Sequence, residues 1–231
     1  MWTIGEIKNQ GKVAFRANYW RCVLVAFILS ILTAGSASSS ANNNSGDTSS
    51  VTNAFEALTA PEQLALGGLF LGVFSVAFII GILIHIFLRN PLQVGCYRFF
   101  KANVQQPGAE LGILKEGFSD FGHIFVTLLL RDIFLFLWFC LFLIPGIIKC
   151  YSYRMVPYII KDNPELSATE VITKSREMMN GNKWRAFLLD LSFIGWIILG
   201  VITVGLVYVL WTAPYMSSTD AALYLELSKE Q

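Results

Sequence analysis

Long apolar runs separated by short amphipathic stretches set the pattern of this chain. Cys22–Ala34, Leu64–Leu88, Ile124–Ile148, Gly146–Ile160, Phe187–Thr203 and Leu206–Leu227 are rich in Leu, Ile, Val, Phe and Ala. About 20 apolar residues in a helix cover roughly 30 Å of hydrocarbon, so runs of this kind predict membrane helices. The intervening stretches follow another period. In Trp2–Ala17, Ile4, Ile7, Gly11, Ala14 and Phe15 recur at helical spacing opposite Lys8, Lys12 and Arg16. Thr3-x-x-Glu6 reads as a capping box, with Trp2 and Ile7 flanking it as a hydrophobic staple. This predicts an interfacial helix with a basic rim, and Trp20 with Arg21 marks the headgroup level.

The same device returns later in the chain. Leu166–Arg185 aligns without a gap on Trp2–Arg21: Ser167 falls on Thr3, Glu170 on Glu6, Arg176 on Lys12, and Asn182-Lys-Trp184-Arg185 on Asn18-Tyr-Trp20-Arg21. The second copy is expected to lie on the membrane surface over 163–181, turn at Gly181 and enter at Trp184. Landmarks also recur between later runs. Asp132 and Trp138 are spaced as Asp190 and Trp196 are, and Pro157-Tyr158 is matched by Pro214-Tyr215. The expectation is an all-α polytopic membrane protein of about six transmembrane helices, arranged as three related helical hairpins at 18–100, 121–162 and 182–228.

The breaks carry their own signals. Gly35–Thr59 is a low-complexity Ser/Asn-rich loop expected to be flexible and external, and its Asn43-Asn44-Ser45 sequon is a chance match for such composition. Thr59-Ala-Pro61-Glu62 is a further capping box, and Gly68-x-x-x-Gly72 would admit a close neighbouring helix. Pro107-Gly108 breaks a helix, a short amphipathic piece follows at Leu111–Phe118, and Pro145-Gly146 is expected to form the tight turn of the second hairpin. Gly35-Ser36-Ala37 after a basic leader also fits a cleaved signal peptide. The recurrence of Asn-x-Trp-Arg at 182, where no cleavage is at issue, favours a retained helix.

Charge changes the picture by fixing sidedness. Only 14% of the 231 residues are charged, well below the usual quarter of a soluble domain. None of the 17 Lys and Arg residues falls in Gly35–Gln63, whereas they gather around the first helix, Arg89–Lys115 and Lys161–Arg185. The positive-inside rule then puts both termini on the cytoplasmic side of the cell membrane. No basic tract suggests nucleic acid. The four cysteines form no CxxC pair and are expected to be buried free thiols.

The run Leu143-Ile-Pro-Gly-Ile-Ile-Lys-Cys-Tyr-Ser-Tyr-Arg-Met-Val-Pro-Tyr-Ile-Ile-Lys-Asp-Asn-Pro164, with Ser175-Arg-Glu-Met-Met and Lys183-Trp-Arg after it, resembles a bacterial membrane family known as domain of unknown function nine-seven-five. The resemblance extends over nearly the whole chain. More distantly, the layout is similar to the membrane domain of some glycerophosphodiester phosphodiesterases. The resemblance implies a six-helix membrane protein and brings no catalytic residues.

Candidate chemistry is confined to charges within apolar runs. No HExxH, GxSxG, P-loop or dinucleotide fingerprint is present, and His85 and His123 have no partner at metal-ligand spacing. No catalytic residue, metal or cofactor is therefore expected. Arg131, Asp132, Asp190, Lys149 and Arg154 are the candidate intramembrane polar site or packing network. Because sequence neighbours do not share a helix face, Arg131 and Asp132 are expected to pair with other helices. Trp20, Arg21, Lys174, Arg176, Trp184 and Arg185 are candidate contacts for lipid headgroups. The expected partners are membrane lipids, with room for a membrane-protein partner or a homo-oligomer. The leading expectation is a non-enzymatic protein that organises or associates with lipids or a transport system. A small transporter using the polar site is the alternative, and a lipid-modifying enzyme lacks a visible nucleophile and base.

Overall fold

The computed structural model describes residues 2–34, 59–84 and 88–230. Among these residues the secondary structure is helical throughout, with no strand. His85, the sequon and nearly all of the Ser/Asn-rich loop lie outside the described residues. The chain divides into two compact units, Met1–Thr33 with Asn90–Gln231, and Ala34–Arg89.

In the larger unit, α1 (Ile4–Ala17) starts on its capping box: Thr3 Oγ accepts from the Glu6 amide at 3.3 Å and Glu6 Oε2 accepts from the Thr3 amide at 3.0 Å. Its apolar stripe is buried at Ile7, Gly11, Ala14 and Phe15, as the periodicity predicts. The chain then bends by 108° into α2 (Tyr19–Ala34). The bend is held at Asn18, whose Nδ2 donates to Asn103 Oδ1 and to the Ala109 carbonyl, both at 2.9 Å. Asn103 is buried and gives its own amide protons to the Ala14 carbonyl at 2.8 Å and to Cys22 Sγ at 3.4 Å. A buried amide with these partners meets its desolvation cost and ties α1, α2 and α4 (Asn90–Gln105) to one point.

The amphipathic piece at Leu111–Phe118 is a 3₁₀ helix packed on α4. Glycines set the approach: a Cβ on Gly117 would lie 2.0 Å from the Pro91 carbonyl oxygen, and one on Gly95 would lie 2.4 Å from that of Leu114. Next come α5 (Phe121–Leu141) and α6 (Leu143–Ser152), which pack against each other. The break between them is not at Pro145-Gly146, as expected, but at Phe142, a single extended residue between the helices. Pro145 instead sits in the first turn of α6, where a missing N–H costs nothing. Gly146 is needed for contact, since a Cβ there would meet the Phe139 ring at 2.5 Å.

After α7 (Val156–Asp162), the surface helix α8 (Ala168–Met178) opens on the second capping box, Ser167 with Glu170. Gly181, at φ +76°, makes the turn into α9 (Lys183–Leu191) and α10 (Ile194–Ile202), which join as one long helix. The two entry stretches turn differently at their ends: one helix runs on to Ala17, the other stops at Met178. Ala17 stays helical and the chain kinks, whereas Gly181 takes the left-handed conformation and the chain loops. The turn expected at Thr203–Gly205 is present, closed by Gly205 N–H on the Gly200 carbonyl (2.8 Å) and Val204 N–H on that of Val201 (3.1 Å). A π turn at Tyr208–Thr212 leads into α11 (Ala213–Lys229).

In the smaller unit, α3 (Ala60–Ile84) begins on the third predicted capping box, with the Thr59 amide donating to Glu62 at 2.9 Å. Leu69, Phe70, Leu71, Val73, Phe74 and Val76 of α3 are exposed.

Two helices among the described residues, Phe121–Leu141 and Lys183–Ile202, are long and apolar enough to cross a membrane, and α1 with α2 is a third candidate if the bent pair is counted. Their outer faces are exposed and apolar, with Phe136 at 67% and Val201 at 76%, and Phe142 and Ile144 beside the first are as open, at 71% and 72%. A water-soluble chain would bury such side chains. Cys140 and Cys150 share this exposed surface, so only Cys22 and Cys96 fit the expectation of buried thiols.

Candidate polar site in the helix bundle

Arg154 stands where α6, α9 and α11 meet. Its guanidinium grips Asp190 with both arms, NH1 to Oδ2 at 2.7 Å and NH2 to Oδ1 at 2.8 Å. NH2 also reaches Asp220 Oδ1 at 2.5 Å, and the Tyr151 hydroxyl donates to Asp190 Oδ2 at 2.9 Å. The three charged side chains are largely shielded, at 17%, 29% and 26% exposure for Arg154, Asp190 and Asp220. The planar fork of Arg suits this bidentate grip, and two carboxylates on one guanidinium leave the cluster with one formal negative charge. Nearby, the Tyr158 hydroxyl is buried without a hydrogen-bond partner, its ring stacked on Tyr224 and edge-on to Tyr97.

Of the five residues the sequence offered for this site, the fold brings together Asp190 and Arg154. Arg131 and Asp132 pair with each other, against expectation: Arg131 Nε and NH2 donate to Asp132 Oδ1 at 2.9 and 2.7 Å. A long Arg side chain folds back along its own helix and reaches a neighbour that Cβ directions alone would separate. Asp132 is 57% exposed against 29% for Asp190, so the two acids expected to match differ in environment. Lys149 meets neither acid; its ammonium lies 4.5 Å from the Trp138 ring centroid. Asp220 was missed as a site residue. Its signal was a lone acid in an apolar run, thirty residues beyond Asp190, the nearest charge before it.

A second cluster was also missed. Asp162, closing α7, collects Lys101, Arg98 NH1 (3.2 Å) and the Tyr224 hydroxyl (2.5 Å), while Arg98 Nε reaches Glu116 at 2.6 Å. Arg98 and Lys101 are one helical turn apart on α4, which was the available clue.

The candidate headgroup residues divide. Trp20 and Trp184 are exposed at 74% and 67%. Arg21, also exposed, donates to the Gly108 and Ala109 carbonyls (3.2 and 3.1 Å), and Arg185 lies over the Trp2 ring. Trp2 Nε1 donates to Asn182 Oδ1 at 3.1 Å, so the start of the first device locks onto the end of the second. Lys174 is held by Asn163 Oδ1, and Arg176 is exposed. Among the described residues, no group of His, Cys, Asp and Glu converges as a metal site.

Residues 141–231 match a family described as a protein of unknown function, DUF975. Over these residues the chain is similar to the DUF975 family. The DUF975 region runs from the end of α5 through α11, and so contains Tyr151, Arg154, Asp190 and Asp220 together with Asp162 and Tyr224. Arg98, Lys101, Arg131 and Asp132 lie before it. No curated protein and no solved structure matches the chain, and the distant likeness to glycerophosphodiester phosphodiesterases is not supported by any match.

Proposed function

We propose that this is a multi-pass protein of the cytoplasmic membrane that acts without catalysis, by associating with membrane lipids or with a transport system. The observation that carries the reading is the exposed apolar surface of α5, α6 and α10 beside a core whose principal charges are paired. Such a surface is stable where lipid tails cover it. The distribution of Lys and Arg supports six crossings with both termini cytoplasmic and the Ser/Asn-rich loop outside. Membranes washed with alkaline carbonate should retain the protein, and its release into the supernatant would refute the reading.

One observation favours a second reading, a small transporter. The Arg154–Asp190–Asp220 cluster keeps an uncompensated negative charge beside an unpartnered tyrosine hydroxyl, and one of its acids belongs to a candidate span. Intramembrane ionisable groups mark ion and proton paths as well as packing devices. Loss of solute flux in Asp190→Asn proteoliposomes, at unchanged abundance and folding, would favour transport. Absence of flux in the unaltered protein would leave the packing role.

A further inference from the structure

Between α6 and α9 lies a groove of about 390 Å³ walled by Ile147, Ile148, Tyr151, Trp184 and Phe187, with Lys183 at its edge. The walls are open to the outside: Ile147, Ile148 and Trp184 are 45%, 47% and 67% exposed. Cations converge beside it. Arg176 and Lys183 both act on the Lys149 ammonium as like charges, and Lys149 rests over Trp138. Among the described residues no carboxylate pairs with Lys149, Arg176 or Lys183, although acids pair with Arg98, Lys101, Arg131 and Arg154 elsewhere in the molecule. Three converging cations without an anion repel one another and oppose the packing of α6 against α8 and α9. An anion at their centre removes that cost, and an apolar trough beside it calls for a hydrocarbon tail.

We propose that the groove between α6 and α9 holds an acyl chain of an anionic phospholipid whose phosphate sits among Lys149, Arg176 and Lys183. The inference rests on the membrane reading above and makes it specific. Trp184 supports the depth assignment, because an exposed indole next to Lys183 and Arg185 belongs at the headgroup boundary. The site differs from a diffuse basic surface in having a place for the tail, so charge and groove can be removed separately.

The test uses the full-length protein in vesicles containing brominated phosphatidylglycerol or brominated phosphatidylcholine, with Trp184 quenching taken as the difference from Trp184→Phe. Brominated phosphatidylglycerol should quench at lower mole fraction than phosphatidylcholine. Each cation near an anionic surface contributes about fivefold in affinity, so Lys149→Gln with Lys183→Gln should remove most of the preference. Ile148→Phe, which narrows the groove and keeps the cations, should weaken quenching by both lipids. Inorganic phosphate at millimolar concentration should leave phosphatidylglycerol in place. Equal quenching by the two lipids in the unaltered protein would overturn the site while leaving the membrane reading intact. Displacement by phosphate would reassign it to a soluble anion. No Trp184 quenching by either lipid would likewise overturn the site, and no quenching of any tryptophan would remove the membrane reading itself.

Discussion

Arg154 holds two carboxylates, and that sets the consequences of changing it. Arg154→Met leaves Asp190 and Asp220 facing each other without a counter-charge, and breaking a shielded ion pair from one side costs about 3–5 kcal/mol. Asp220→Asn leaves the bidentate Arg154–Asp190 pair whole and should cost less; thermal unfolding in detergent measures both. Val204 makes a prediction of opposite sign. It is a β-branched residue at φ +53° and 94% exposed, so little packing compensates its strain. Val204→Gly should stabilise by roughly 0.5–1 kcal/mol, since relief of the left-handed strain exceeds the added unfolded-state entropy. At this scale sequence reading was uneven. Asp190 and Arg154 were legible as charges in apolar runs. Their union with Asp220 was not, because it depends on three helices meeting, and Arg131 reached Asp132 through side-chain length that helical-wheel reasoning ignores.

Helix ends were the most legible elements, because a capping box is a local reaction of four residues with their own backbone. The boxes at Thr3 and Ser167 form, and at Thr59 the amide and hydroxyl both donate to the Glu62 carboxylate. Glu170 gives the α8 box a pH signature. Its hydrogen bonds to the Ser167 hydroxyl and then to the Ser167 amide hold the carboxyl below its ordinary value of 4.5. A pKa depressed in the folded state contributes stability above the unfolded value and loses it as pH falls through the folded one. Amide exchange at the start of α8 should therefore quicken below about pH 4.5, and Glu170→Gln should flatten that dependence. Turns were less legible. Pro-Gly marked the neighbourhood of the α5–α6 break but not its residue, since Gly146 is there for the Phe139 ring. Close crossings answer to glycine more directly. A Cβ on Gly117 meets backbone at 2.0 Å, and one on Gly11 meets Thr219 backbone at 2.8 Å, neither able to swing aside. Gly117→Ala and Gly11→Ala should each lower stability by about 1–3 kcal/mol, the cost of overpacking, read by the same thermal unfolding.

For the whole molecule, the apolar surface and the basic residues divide the work. Sequence reading identified the helical class and apolar helices fit to cross a membrane, because those follow from period and composition. It did not reveal that Trp2 locks onto Asn182, or that Lys149 joins Arg176 and Lys183 instead of the acids, because both depend on how α6, α8 and α9 pack. The central claim is a protein embedded in the membrane with its basic segments on one side and the Ser/Asn-rich segment on the other. It is tested most directly by labelling single cysteines, Ser45→Cys and Glu177→Cys in a cysteine-free background, with a membrane-impermeant maleimide. In intact spheroplasts Ser45→Cys should label and Glu177→Cys should not, and in inside-out vesicles the pattern should reverse. Labelling of both positions from the same side would contradict the account.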